Sequence, residues 1–218
     1  PDTDDTAQSS SSSTSTNVKG TIAVVTKTMN NPFHVTYGEA IKQAGEAAGY
    51  EVLVSGPDAE TDVDKQISLI ETYIEQGVSA IVTSACSSTA IVDVIEQADA
   101  KGIPVFLVDS GADGGPYVTF IGTDNYAAGE QAGMAAVGAF AQDEEIRISL
   151  VNIYESTENG INREKGLRDY IERVPNAEIV ASTNVNSNTT SATAGALSLL
   201  YNHPEINVLI GLNEWMTL

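Results

Sequence analysis

Basic residues are scarce in this sequence: ten Lys and Arg stand against 30 Asp and Glu, a formal net charge of −20. A field of that sign repels phosphate backbones, and the few bases do not cluster, so no nucleic-acid-binding surface is expected. Cysteine is rarer still. The lone Cys86 cannot close an intramolecular bridge, which excludes a disulfide scaffold. It fits an intracellular protein or an exported one that needs no disulfides, and it reads as a small, inert packing residue. The two histidines, His34 and His203, lie far apart in the chain, and with one cysteine they make no metal-ligand cluster. Neither a metal nor a cofactor is expected. No apolar run approaches the roughly 18–20 residues of a membrane-spanning helix. Phosphate-loop, dinucleotide-fingerprint and nucleophile-elbow motifs are also missing. No enzymatic activity is expected, although Asp109 with Lys27 or His34 could in principle move a proton.

What is present is enough for a folded core. The chain has 218 residues, 42% of them hydrophobic, which excludes disorder throughout. Residues 1–18 differ from the rest, with ten Ser or Thr, three Asp and no basic residue. Such a segment cannot bury enough apolar surface to offset its ordering entropy, so it reads as a flexible tether. The start carries no Met and no signal peptide, and it reads as processed or trimmed.

From Lys19 onward, short β-branched runs alternate with helical stretches. Strands are expected at 21–26, 51–55, 79–83, 104–109, 117–121, 147–152, 177–182 and 206–211. Between the second and third, Val63, Ile67, Ile70 and Ile74 repeat at the spacing of one helical stripe. Pro32 suits a first helical turn, and Gly77 and Gly102 stand where helix C-caps belong. Near-continuous apolar strands linked by helices imply parallel sheets covered on both faces, a doubly wound α/β fold. The irregular stretch SGADGGP at 110–116 precedes a fresh series of units. The expected organisation is an N-terminal α/β lobe over 19–122 and a C-terminal α/β lobe over 123–218. The second holds only about three strands and reads as C-terminally truncated.

In open parallel sheets, ligands bind beyond the carboxyl ends of the strands. Those ends offer Lys27 and Asn31, then Ser84, then Asp109 and Ser110, with Thr123 at the lobe crossing. The second half adds Tyr154 and Asn213. The set is rich in amides, hydroxyls and one carboxylate, with Phe33 and Tyr154 as ring faces. Hydroxyl-rich ligands need this mixture.

Five segments carry a resemblance. TIAVVTKTMNNPFHVTYG (21–38), GIPVFLVDS (102–110), FIGTDNYAAGEQAG (120–133), NREKGL (162–167) and NEWM (213–216) occur in the order seen in periplasmic sugar-binding proteins of the ribose-binding type. The resemblance implies a type I periplasmic-binding fold, two lobes joined by several crossings, and further elements after Leu218. It also implies a sugar clamped between the lobes and delivered to an ABC transporter permease. Position by position, the implied ligand contacts are Lys27, Asn31, Phe33, His34, Ser84, Asp109 and Ser110 in the first lobe. Thr123 stands at the crossing, and Tyr154, Arg163 and Asn213 belong to the second lobe. Ribose binders differ at four of the relevant positions. They carry Arg at the position of Ser110, an aromatic at those of His34 and Ser187, and a small polar group at that of Lys27. These departures point to another sugar or a polyol.

Plainer roles compete at several positions. Asp109 could cap the turn after its strand, Asn31 is a good N-cap in any protein, and Phe33 could be core. Lys27 could be a solvated loop residue, Arg163 could pair with Glu158 or Glu164, and Trp215 suits core or cleft wall equally. If Lys27 pairs with Asp109, an uncharged sugar is expected; if it meets a ligand carboxylate, an acidic one, which the net charge disfavours. The expected protein is an extracytoplasmic, monomeric solute-binding protein that touches the membrane only through an N-terminal lipid anchor. The alternative is a ligand-sensing domain of a chemoreceptor, kinase-coupled or transcription-regulator system with the same fold.

Overall fold

The structure, a computed structural model, describes residues 18–153 and 157–217. The tether expected over 1–18 falls outside that range except for Val18, and Tyr154 also lies outside the described residues.

The first half runs β1 (Thr21–Val25), α1 (Pro32–Ala47), β2 (Glu51–Ser55), α2 (Val63–Gln76), β3 (Ala80–Thr83), α3 (Val92–Ala100), β4 (Val105–Val108) and β5 (Thr119–Ile121). Its strands form one parallel sheet in the order β2-β1-β3-β4-β5. The second half runs α4 (Asn125–Gly138), β6 (Ile146–Ile153), α5 (Glu158–Ile171), β7 (Ala177–Val185), α6 (Thr189–Asn202), β8 (Val208–Gly211) and α7 (Glu214–Thr217). Its sheet is also parallel, in the order β7-β6-β8. Consecutive parallel strands need a crossover, and a helix supplies it in every case but one. The exception is β4 to β5, joined by the loop that holds SGADGGP.

Two cores follow from the two sheets. Ala23, Val25, Ile81, Val105 and Leu107 of the first sheet pack against Ile70 and Ile74 of α2 and Ile91, Val94 and Ile95 beside and in α3. The expected stripe of α2 therefore faces inward. In the second sheet, Ile146, Ile148 and Leu150 of β6 pack against Leu167 and Ile171 of α5. Helices α4 and α5 approach so closely that a Cβ at Gly129 would overlap the Arg163 carbonyl, and one at Gly166 the Tyr126 carbonyl. Small residues on both sides of this contact let α5 lie against α4, which brings Arg163 within reach of Asn125 at the start of α4.

The strand ends differ from expectation at one place that matters. Asp109 is not the last residue of β4. Its backbone turns into the left-handed region at φ 61°, a conformation that Asp tolerates better than most residues.

Candidate functional site

The carboxyl ends of the two sheets face each other across a cleft, and the cleft holds two adjoining cavities. The inner one, of about 320 Å³, is lined from the first sheet by Lys27, Phe33, His34, Glu60 and Asp109 and at the crossing by Thr123. The opposite wall is formed by Ile153, Asn159, Gly160, Arg163, Ser187, Leu212, Asn213 and Glu214. The outer one, of about 400 Å³, is lined by Thr28, Asn30, Asn31, Asp58 to Thr61, Asn186 to Asn188 and Trp215. Glu60 and Ser187 belong to both.

Asp109 is the hub of the inner wall. Its Oδ2 lies 3.3 Å from Lys27 Nζ and 3.2 Å from the Ser84 hydroxyl. Its Oδ1 accepts from Asn159 Nδ2 at 3.2 Å. Lys27 is only 2% exposed, so this is a buried ion pair rather than a solvated lysine, and a buried charge needs such a partner. The turn of β1 that carries Lys27 is itself stapled. Gln66 of α2, fully buried, donates through Nε2 to the carbonyls of Thr26 (3.2 Å) and Ser84 (2.8 Å), and its Oε1 accepts from the Cys86 amide at 2.8 Å. One side chain thus ties together the ends of β1 and β3. Burial pushes the Cys86 thiol up to about 12, against the opposing pull of Lys27, which leaves it a poor nucleophile. Burial also raises the Tyr37 hydroxyl, with Asp109 adding to the effect.

A second hub is Glu60, in the loop after β2. Its Oε1 accepts from Asn31 Nδ2 (3.4 Å) and Ser187 Oγ (3.2 Å) and lies 3.3 Å from His34 Nε2. Burial alone would raise its pKa. The His34 contact, the Lys27 charge and the Asn31 amide outweigh that, and the net direction is down. Asn31 does two things at once. Its Oδ1 caps α1 by accepting from the Phe33 amide at 2.9 Å, and its Nδ2 also reaches Glu214 across the cleft at 2.8 Å. Pro32 at the first helical position holds the turn that allows this.

On the facing side, Arg163 does not pair with Glu158 or Glu164. Its Nε donates to Asn125 Oδ1 at 2.8 Å and its Nη1 to the Leu212 carbonyl at 3.0 Å. The guanidinium therefore links the start of α4, just past the crossing, to the end of β8. Asn213 lines the cavity and its Oδ1 accepts from the Met216 amide at 3.3 Å.

The structure thus brings Lys27, Phe33, His34, Asp109, Thr123, Arg163 and Asn213 around one cavity. Phe33 is half exposed rather than core, and its ring meets His34 and Tyr37 edge-on. Three expected contacts are placed differently. Ser84 and Ser110 are fully buried behind Asp109, because their hydroxyls turn back to it or, for Ser110, to Asn159 Oδ1 at 2.8 Å. Asn31 lines the outer cavity, since its amide is engaged by Glu60 and Glu214. Trp215 lines that outer cavity as well. Sequence reasoning missed Glu60, Asn159 and Gln66. Only Gln66 left a usable signal: it is a polar residue on the buried stripe, three after Val63 and four before Ile70.

Known proteins resemble this chain in sequence and fold. A family model described as a periplasmic binding protein domain matches residues 22–218. The chain is 30% identical over 198 residues to the D-apiose import binding protein of Paraburkholderia graminis, covering 90% of this chain and 62% of that protein. It is 30% identical over 199 residues to the ribose import binding protein of Bacillus subtilis, with 91% and 63% covered. Among solved structures, a carbohydrate transporter solute binding protein from Agrobacterium radiobacter in complex with D-arabinose superposes with a TM-score of 0.83. It is 28% identical, with 90% of this chain and 68% of that one covered. The chain thus spans somewhat less than two thirds of the length of the two import binding proteins. With the family model matched over nearly its whole length, this chain belongs to the periplasmic binding protein domain family.

Proposed function

We propose that the chain captures a neutral sugar or polyol between two lobes, 19–122 and 123–218, and presents it to an ABC transporter permease outside the cytoplasm. The observation that carries this reading is the inner cavity itself, walled from both sheets by paired charges, amides and one half-exposed aromatic ring. Its size is that of a small-molecule site. Phe33 offers a face for the C–H side of a sugar ring, while Asp109, Arg163 and Asn213 supply acceptors and donors for hydroxyls. The names of the relatives, import proteins for apiose and ribose, point the same way.

The Lys27–Asp109 pair favours an uncharged ligand. Lys27 already has its carboxylate, and Glu60 and Glu214 also line the cavity, so a uronate would meet more negative than positive charge. No step of this function requires a reaction. Ligand contacts made only when both walls are engaged stabilise the closed arrangement, the differential affinity that a population shift requires. The N-terminal lipid anchor, the tether over 1–18 and the monomeric state complete the proposal.

Calorimetric titration of the chain with neutral pentoses, hexoses, polyols and the matching uronic acids, at two ionic strengths, tests it. Binding of a neutral sugar with little salt dependence is expected. Tight uronate binding that weakens with salt, and no response to neutral sugars, would overturn the choice of ligand.

A further inference from the structure

The outer cavity is too large and too well furnished to be left out of the binding reaction. At about 400 Å³ it exceeds the inner one, and each alone falls within the range of about 300–1,000 Å³ typical of small-molecule sites. Its chemistry also differs. In the inner cavity the two fixed cations already have protein partners, Lys27 the Asp109 carboxylate and Arg163 the Asn125 side chain and the Leu212 carbonyl. In the outer cavity the side chains of Asp58, Thr61 and Asn186 are exposed, and no side-chain hydrogen bond ties them to other described residues. The indole of Trp215 forms part of the same wall, and its Nε1 has no hydrogen-bond partner among the described residues. A carboxylate, a hydroxyl, an amide and an aromatic ring around one space are what a second hydroxyl-rich ring requires.

What separates the cavities is thin. Glu60 and Ser187 line both, and they meet through one hydrogen bond of 3.2 Å. Beside it, Asn31 of the outer wall meets Glu214 of the inner wall at 2.8 Å. Both bonds are between side chains, and both cross the cleft. A ligand hydroxyl can replace either partner without disturbing the backbone of a strand or helix.

Building on the sugar-capture reading, we infer that the two cavities act as one elongated site whose ligand is a neutral disaccharide, with its second ring between Asp58, Asn186 and Trp215. Glu60 then sits at the glycosidic junction and reads hydroxyls of both rings.

Trp215 is the single tryptophan of the chain, so its emission reports on the outer cavity alone. The chain is titrated calorimetrically with neutral monosaccharides and with disaccharides built from each, while tryptophan emission is followed. A disaccharide is expected to bind at least tenfold more tightly than its component monosaccharide, and it alone shifts the emission. Ala59→Tyr, which adds bulk to the outer cavity wall without adding a tryptophan, is expected to abolish that tenfold gain, so that disaccharide and monosaccharide bind alike. A monosaccharide that binds as tightly as every disaccharide, with Ala59→Tyr affecting neither, overturns the two-ring inference and leaves sugar capture standing. A chain that binds neither class overturns both.

Discussion

The two walls of the cleft are built differently. On the first-sheet side, Asp109 holds Lys27 and Ser84, Glu60 holds His34, and Gln66 staples the ends of β1 and β3. On the facing side, Arg163, Asn159, Ser187, Asn213 and Glu214 come from α5 and the segments after β7 and β8, and of these Asn159, Ser187 and Glu214 meet the first wall through a few side-chain hydrogen bonds. The first wall is wired before any ligand arrives; the second is held against it by contacts worth about 0.5–3 kcal/mol each, the upper end where a carboxylate accepts. A difference of this kind suits a capture device, because a handful of ligand contacts is enough to shift the balance between open and closed.

The largest test strikes the first wall. Asp109→Asn keeps the shape and tolerates the positive φ, but it leaves the Lys27 ammonium buried without its counter-charge. A loss of about 3–5 kcal/mol in urea unfolding is expected, the usual cost of breaking one side of a buried pair. Adding Lys27→Met to the same chain should recover most of it. If Asp109→Asn is neutral, the first wall is not wired as described.

A smaller effect is expected on the second wall. Arg163→Met removes two part-buried hydrogen bonds donated by a charged group; because water can reach the freed acceptors, a cost of about 1.5–3 kcal/mol for the pair is expected, with sugar affinity falling as α5 loses its tie to α4 and the end of β8. A loss equal to that of Asp109→Asn would erase the distinction between the walls.

The next test uses pH. The Glu60 carboxyl is held below its ordinary value, with the contribution of His34 and Lys27 exceeding that of burial. A depressed folded-state pKa stabilises the protein fully above the unfolded value, and that stability disappears as pH falls through the lower folded value. Glu60→Gln should therefore flatten the acid limb of the stability profile below the ordinary carboxyl range and leave its slope at neutral pH unchanged. An acid limb identical to that of the parent would show that Glu60 is not coupled to its neighbours.

Much of this was legible beforehand because strand ends in a parallel sheet are topologically bound to converge. Lys27, Asp109, Thr123 and Asn213 could be placed from β-branched runs alone, and Asn31 with Pro32 from capping chemistry. Side-chain direction was not legible. Ser110 follows Asp109 directly, yet the left-handed turn at Asp109 sends its hydroxyl to Asn159 rather than into the cavity. Glu60 sits in the sequence GPDAETD, where it looks like one more solvated carboxylate in a chain of 30 acidic residues. It becomes a hub only when Asn31, His34 and Ser187, far from it in sequence, pack around it. Asn159 was hidden for the same reason: its partners lie about fifty residues away.

The finest test of the two-wall comparison is Ser187→Ala. Ser187 reaches the Glu60 hub from the second wall through a single neutral donor at 3.2 Å. Glu60 keeps Asn31 and His34 when that donor is lost, so no buried carboxylate is stranded. Little penalty from an unsatisfied group is expected, and unfolding in urea should change by no more than about 0.5 kcal/mol, as for an ordinary surface substitution. The balance between open and closed should respond more clearly. Losing about 1 kcal/mol from the closed state alone lowers its population relative to the open one roughly fivefold. Small-angle scattering of the ligand-free chain should then show a larger radius of gyration than the parent. A loss of stability comparable to that of Asp109→Asn, with no change in dimensions, would mean that Glu60 depends on the second wall to stay folded and that the two walls form a single unit.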